Sequence, residues 1–276
     1  IHGFCADLLR ERPLEARIDP LFTVLTEAQA ERIYNEAFHQ WLEKELADPA
    51  EGVKRSLRRP TFGGFGAQAD GGDNGPIDRL RRAGWELIQW RDFEGDWQRP
   101  SFDRGGRIDE LVQLLNRFTD LLEPPGSVND TLYGDCWAAR KLADEVRRTE
   151  SVAARDYDRL EAGLIELSRN RNFKDARKGS GKSYRSGVLR EDVWRARENL
   201  QNTLSDFEAD ANADLAAALR GDLHDCVSAY EAAKTKSGAL DFLDLLLKTR
   251  DLIRDNPEVR FSFQQRFKQI FVDEFQ

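Results

Sequence analysis

The sequence predicts a mainly α-helical fold, and three observations carry that expectation. Apolar residues recur at spacings of three and four through several separate segments, which places them on one face of a 3.6-residue helix. No alternating apolar–polar run of strand length occurs before residue 269. The composition, 40% hydrophobic and 33% charged over 276 residues, supplies both a core and a solvated surface for amphipathic helices. No stretch reaches the roughly 18 apolar residues that a membrane-spanning helix needs, so no membrane partner is expected.

In chain order, a first helix is expected over residues 3–12, with Phe4, Leu8 and Leu9 on one face and Pro13 as its stop. Thr26-Glu27-Ala28-Gln29 reads as a capping box, in which hydroxyl and amide each satisfy the other's free backbone N–H. The helix it opens carries Ile33, Tyr34, Ala37, Phe38, Trp41 and Leu42 on its apolar face. Residues 60–76 hold six glycines and few large apolar side chains, the composition of a flexible loop. Helical periodicity returns at Ile108, Leu111, Val112, Leu115, Phe118 and Leu122, and Pro124-Pro125 closes it. One long helix is expected from about Cys136 to Leu167, and a pair of helices between about Arg190 and Tyr230. Trp85, Trp90 and Trp97 read as helix-packing residues, and His39 and His224 have no ligand cluster near them.

The last forty residues differ in pattern. "GALDFLDLLLKTRDLIRDNP" is a helix with a broad apolar face, and a further helix follows it. "QIFVDEFQ" is then a short apolar run, as in a strand buried on both faces of a parallel α/β sheet. Ligands in such sheets sit at the carboxyl ends of strands, where Asp273 and Glu274 fall.

Charge sets bounds on partners. With 42 basic and 50 acidic residues the net charge is −8, which argues against a general nucleic-acid glue. From Ser168 to Arg190, however, eight basic residues face Asp175 alone. Phe173 and Tyr184 are interleaved there, a combination that can stack on bases while Arg177, Lys178 and Lys182 meet phosphates. A merely solvated basic face explains the stretch equally well. The three cysteines lack metal-ligand spacing and read as reduced thiols of a cytoplasmic protein. No secretory signal opens the chain. It starts at Ile1, contains no methionine and stops inside "FVDEFQ", so it reads as an internal piece of a longer polypeptide.

Two stretches suggest nucleotide chemistry. "ARKGSGKSY" mimics a phosphate loop at Gly179–Ser183, but the first glycine of G-x-x-x-x-G-K-[ST] is replaced by Ala176. No strand precedes it, and "YRSGV" after Ser183 is a poor helix start. It reads instead as a basic surface turn; an ATPase using Lys182 is the weaker option. The Asp-Glu pair suits nucleotide hydrolysis better. Asp273 can hold Mg²⁺ beside ATP phosphates, Glu274 can deprotonate the attacking water, and the Gln276 amide can hydrogen-bond the γ-phosphate. Two solvated acids at a strand end are the plain alternative.

"IFVDEFQ" resembles motif II of UvrD/RecB-like superfamily 1A DNA helicases, a hydrophobic strand followed by D-E-x-Q-D. "GALDFLDLL" is similar to the L-D-F-x-D-L-L helix before that motif, and "IHGFCADLLRE" to the T-[IF]-H-x-[FM]-C segment after motif Ia. The resemblance is strongest to AddA- and RecB-type helicase–nuclease subunits. It implies a helical insertion domain (1B), residues 13–237, flanked by pieces of a RecA-like α/β motor domain (1A, P-loop NTPase class) at 1–12 and 238–276. It further implies ATP and Mg²⁺ as cofactors, single-stranded and duplex DNA as partners, 3′ to 5′ movement, a role in double-strand-break repair and a possible second helicase–nuclease subunit. Under it, Glu274 and Gln276 are catalytic, Asp273 is the metal ligand, all three bind the nucleotide, and His2 and Phe4 lie near single-stranded DNA. The phosphate loop would precede Ile1, so this piece alone would be inactive as an ATPase. For His2, a structural place at the edge of the motor core stands beside the DNA reading. A non-catalytic helical module for DNA binding or partner docking is the alternative for the whole chain.

Overall fold

The computed structural model describes residues 1–59, 75–93, 99, 101–127 and 129–271. Its elements run α1 His2–Glu11, β1 Thr23–Val24, α2 Glu27–Glu45, α3 Glu51–Arg58, α4 Pro76–Gln89, α5 Arg104–Leu122, α6 Thr131–Asp135 and α7 Trp137–Glu150. They continue with α8 Tyr157–Arg169, α9 Arg171–Lys174, β2 Ser183–Arg185, β3 Val188–Leu189, α10 Arg190–Asp222 and α11 His224–Lys236. β4 Ala239–Leu240, α12 Phe242–Asp255 and α13 Pro257–Arg266 complete the order. The fold is mainly α, as the periodicity predicts.

The chain forms two compact units. The first gathers Ile1–Pro49, Leu80–Asp96 and Leu223–Gln276. Here α1 packs on α12 and α2 on α11. Leu8, Leu9, Phe22, Leu240, Leu245, Leu252 and Phe263 make one core of this unit. The capping box holds as expected: Gln29 N donates to Thr26 Oγ1 at 3.3 Å, and Thr26 N donates to Gln29 Oε1 at 2.9 Å. Tyr34, Ala37, Phe38, Trp41 and Leu42 are buried along α2. β1 and β4 pair in parallel over two residues, Thr23 with Ala239 and Val24 with Leu240.

The second unit comprises Ala50–Arg79 and Trp97–Asp222. The 33-residue α10 is its spine, with α3, α5 and α8 packed on it. Ile108, Leu111, Leu115, Phe118 and Leu122 of α5 are all buried, as their spacing predicts. Their partners are Leu200, Leu204 and Phe207 from α10 and Leu164 and Ile165 from α8.

Three expectations need correction. The single helix over 136–167 is two helices, α7 and α8, which fold back into contact. Capping decides the break: the Ser151 hydroxyl donates to the Arg148 carbonyl at 2.7 Å, and the Asp156 carboxylate accepts the Arg159 N–H at 3.1 Å. Short polar side chains thereby satisfy the backbone groups that an unbroken helix would have paired. Second, Gln269–Phe271 are not in a strand, and Ile270 and Phe271 are 64% and 90% exposed. A strand buried on both faces needs neighbouring strands for its backbone hydrogen bonds, and none lies beside these residues among those described. Third, Trp90 is 67% exposed, whereas Trp85 packs against Tyr34 and Tyr230. The glycine-rich residues 60–74, Trp97 and residues 272–276 lie outside the described residues.

Candidate nucleic-acid interface

The "GALDFLDLL" stretch begins with Gly238, which leaves α11 at φ +61, the left-handed region glycine enters without penalty. Asp241 and Asp244 then form a capping box for α12. Asp244 N donates to Asp241 Oδ1 at 2.9 Å, and Asp241 N donates to Asp244 Oδ2 at 3.0 Å. Both carboxylates are buried, and buried charges need partners. Lys234 Nζ lies 2.8 Å from Asp241, 2.6 Å from Asp244 and 2.9 Å from Glu231. Arg91 reaches the same three acids at 2.6, 2.9 and 3.0 Å. The Tyr230 hydroxyl donates to Asp241 at 2.8 Å.

Burial would raise the pKa of Asp241, but the charges of Lys234 and Arg91 outweigh it and hold the carboxyl well below the usual range. Burial, reinforced by the Asp241 charge, pushes the Tyr230 phenol above its ordinary value. Glu231, Asp241 and Asp244 lie close enough together to suggest a cation site. The ammonium and guanidinium already occupy that role, so the cluster is structural. The L-D-F-x-D spacing could have disclosed the capping box; nothing local discloses Arg91, which reaches Asp241 from 150 residues away.

Phe242 follows the cap residue and is 46% exposed. Its ring meets that of His2 at 5.1 Å between centroids. Phe4 is 42% exposed and stands edge-on to Phe267 at 5.3 Å. The sequence places His2 and Phe4 near each other; the structure adds Phe242 to His2.

The basic stretch is less charged in space than along the chain. Arg177 makes a two-pronged bond to Asp135, both contacts 3.0 Å, and Lys178 lies 2.5 Å from Glu191. Arg190 pairs with Asp130 at 2.7 Å, and Arg169 pairs with Glu208. Lys182 is exposed and makes no ion pair among the described residues. Stacking by Phe173 and Tyr184 is ruled out, since they are 0% and 4% exposed and belong to the core. The Tyr184 hydroxyl donates inward, to the Leu122 carbonyl at 2.8 Å. Gly179 and Gly181 take φ of +77 and +89, and the turn leads into β2 instead of opening a helix. It therefore lacks the aligned N–H groups of a helix start that a phosphate loop uses. Asp273, Glu274 and Gln276 lie outside the described residues.

The model of the UvrD/REP helicase N-terminal domain matches residues 1–276. The chain belongs to the UvrD/REP helicase family. Among its relatives is an ATP-dependent helicase/nuclease protein, AddA-like in type, of Streptococcus pneumoniae strain Hungary19A-6, 33% identical over 85 residues. The exonuclease/helicase protein RexA of the serotype 4 strain is 32% identical over the same length. Each match covers 31% of this chain and 5% of the relative, so the chain spans a small part of these helicase subunits. No helix among the described residues is long and apolar enough to cross a membrane.

Proposed function

We propose that this chain is part of an ATP-dependent DNA helicase acting with 3′ to 5′ polarity, in a two-subunit helicase–nuclease of double-strand-break repair that works in the cytoplasm. The observation that carries the reading is the family match over residues 1–276, and the similarity to helicase/nuclease subunits supports it. In this reading residues 1–12 and 238–276 belong to the RecA-like motor domain 1A and residues 13–237 to the insertion domain 1B. Asp273 holds Mg²⁺ beside ATP, Glu274 removes the proton from the attacking water, and Gln276 reports the γ-phosphate to the DNA track. His2 and Phe4 meet single-stranded DNA, and Arg177, Lys178 and Lys182 meet phosphates.

The intact polypeptide tests the chemistry. Glu274→Gln should lower ATP hydrolysis by about 10²–10⁴-fold, the usual contribution of a positioned general base, while ATP binding persists. Unchanged hydrolysis would remove Glu274 from the mechanism. The basic residues have their own readout: replacing Arg177, Lys178 and Lys182 with glutamine should flatten the salt dependence of single-strand binding by about 0.7 log units per lost phosphate contact. An unaltered slope would turn this face away from DNA.

For the chain by itself, a non-catalytic DNA-binding module is the second reading. Its support is the Gly179–Ser183 turn, which has no helix behind it and leaves the described residues without a phosphate loop.

A further inference from the structure

Within the first unit, a cleft of about 280 Å³ opens beside the start of α12. Leu25 and Ala30 form its apolar floor, Trp85, Tyr230 and Phe242 its aromatic walls, and Glu27 and Gln89 bring polar groups. Sites for drug-sized ligands run from about 300 to 1,000 Å³, so this one suits a single planar ring system. Tyr230 is fully buried and Trp85 half-buried, while Phe242 stands out at 46% exposure with the His2 ring against it. A half-exposed phenylalanine between a histidine and an aromatic-lined cleft is poorly explained by packing. It removes little apolar area from water, and Leu245 and Leu252 already anchor α12 in the core.

We infer that this cleft receives one unstacked nucleobase of a single strand, sandwiched against Phe242, with His2 beside the sugar–phosphate at the mouth. The inference rests on the DNA reading above and names a site for it. An aromatic face attracts any base through its π-surface, so stacking operates without sequence reading. The Gln89 amide and the Glu27 carboxylate, which makes no ion pair among the described residues, can meet the hydrogen-bonding edge of the base. The acids behind the cleft do not repel the strand as bare charges, because Lys234 and Arg91 neutralise Asp241 and Asp244. That same cluster makes Phe242 a fixed platform: Asp241 and Asp244 on either side of it are both clamped.

The test is fluorescence anisotropy of the whole chain with two labelled oligonucleotides of equal length and charge, one base-bearing and one with abasic sites. The base-bearing strand should bind about tenfold more tightly, within the range that single stacking residues contribute. Phe242→Ala should erase that preference and leave the salt slope unchanged, since no phosphate contact is lost. Phe242→Tyr should restore the preference, which a mere loss of folding in the alanine variant could not explain. Equal binding of both strands by the unaltered chain, or a preference that survives Phe242→Ala, overturns the base site while leaving DNA binding intact. Binding of neither strand overturns the DNA reading itself.

Discussion

Each compact unit buries a cluster of charges, and the two clusters are wired differently. In the second unit, Arg55 reaches Glu161 at 3.0 Å and Asp214 at 2.7 Å, partners 106 and 159 residues away. Arg59 and Arg104 share Glu161, and Arg99 joins Asp214 at 2.5 Å. These contacts tie α3, α8 and α10 together. In the first unit, Lys234 meets acids only 7 and 10 residues ahead of it, across the α11–α12 turn. Distant wiring there comes from Arg91. The difference teaches what each cluster specifies: the arginine cluster selects a packing of remote helices, whereas the lysine cluster sets the geometry of one turn. Planar guanidinium forks suit the first task, and a compact ammonium between three carboxylates suits the second.

The comparison can be broken from its stronger side. Arg55→Met leaves Glu161 and Asp214 short of a partner in a dry site, and should cost about 3–5 kcal/mol in denaturant unfolding. A loss below about 1 kcal/mol would mean that Arg59, Arg99 and Arg104 suffice without it. Lys234→Met should cost less, about 1.5–3 kcal/mol, because Arg91 still faces all three acids. Equal losses for the two variants would erase the distinction between remote and local wiring.

Acid sharpens it further, with the smallest effect. Burial opposes ionisation of Asp214 and Asp241, but Arg99 and Arg55 in one case, Lys234 and Arg91 in the other, hold both carboxyls below their ordinary range. The unfolded chain therefore takes up protons first as pH falls. Stability should be whole above about pH 5 and decline progressively below it. In Lys234→Met the decline measured by thermal unfolding should be shallower, since the folded Asp241 has lost its strongest attractor. A curve parallel to the unaltered protein would place the acid sensitivity in the second unit.

Much of this molecule is readable from local chemistry. The helical class, the apolar faces of α2 and α5 and the Thr26 capping box follow from spacing and from cap residues, because both depend on neighbours within a few positions. The motifs around His2, Asp241 and Asp273 likewise pointed to the helicase family before any coordinates did. What local pattern misjudged was solvent. Phe173 and Tyr184 look like stacking residues among arginines, yet the helices around them absorb both, and acids from distant elements neutralise Arg177 and Lys178. The break between α7 and α8 turned on two small polar caps that outweigh helix propensity. Only the tertiary structure sets Arg91 beside Asp241 and Phe242 beside His2, because burial and charge balance are properties of what the folded chain brings together, not of the order in which residues are written.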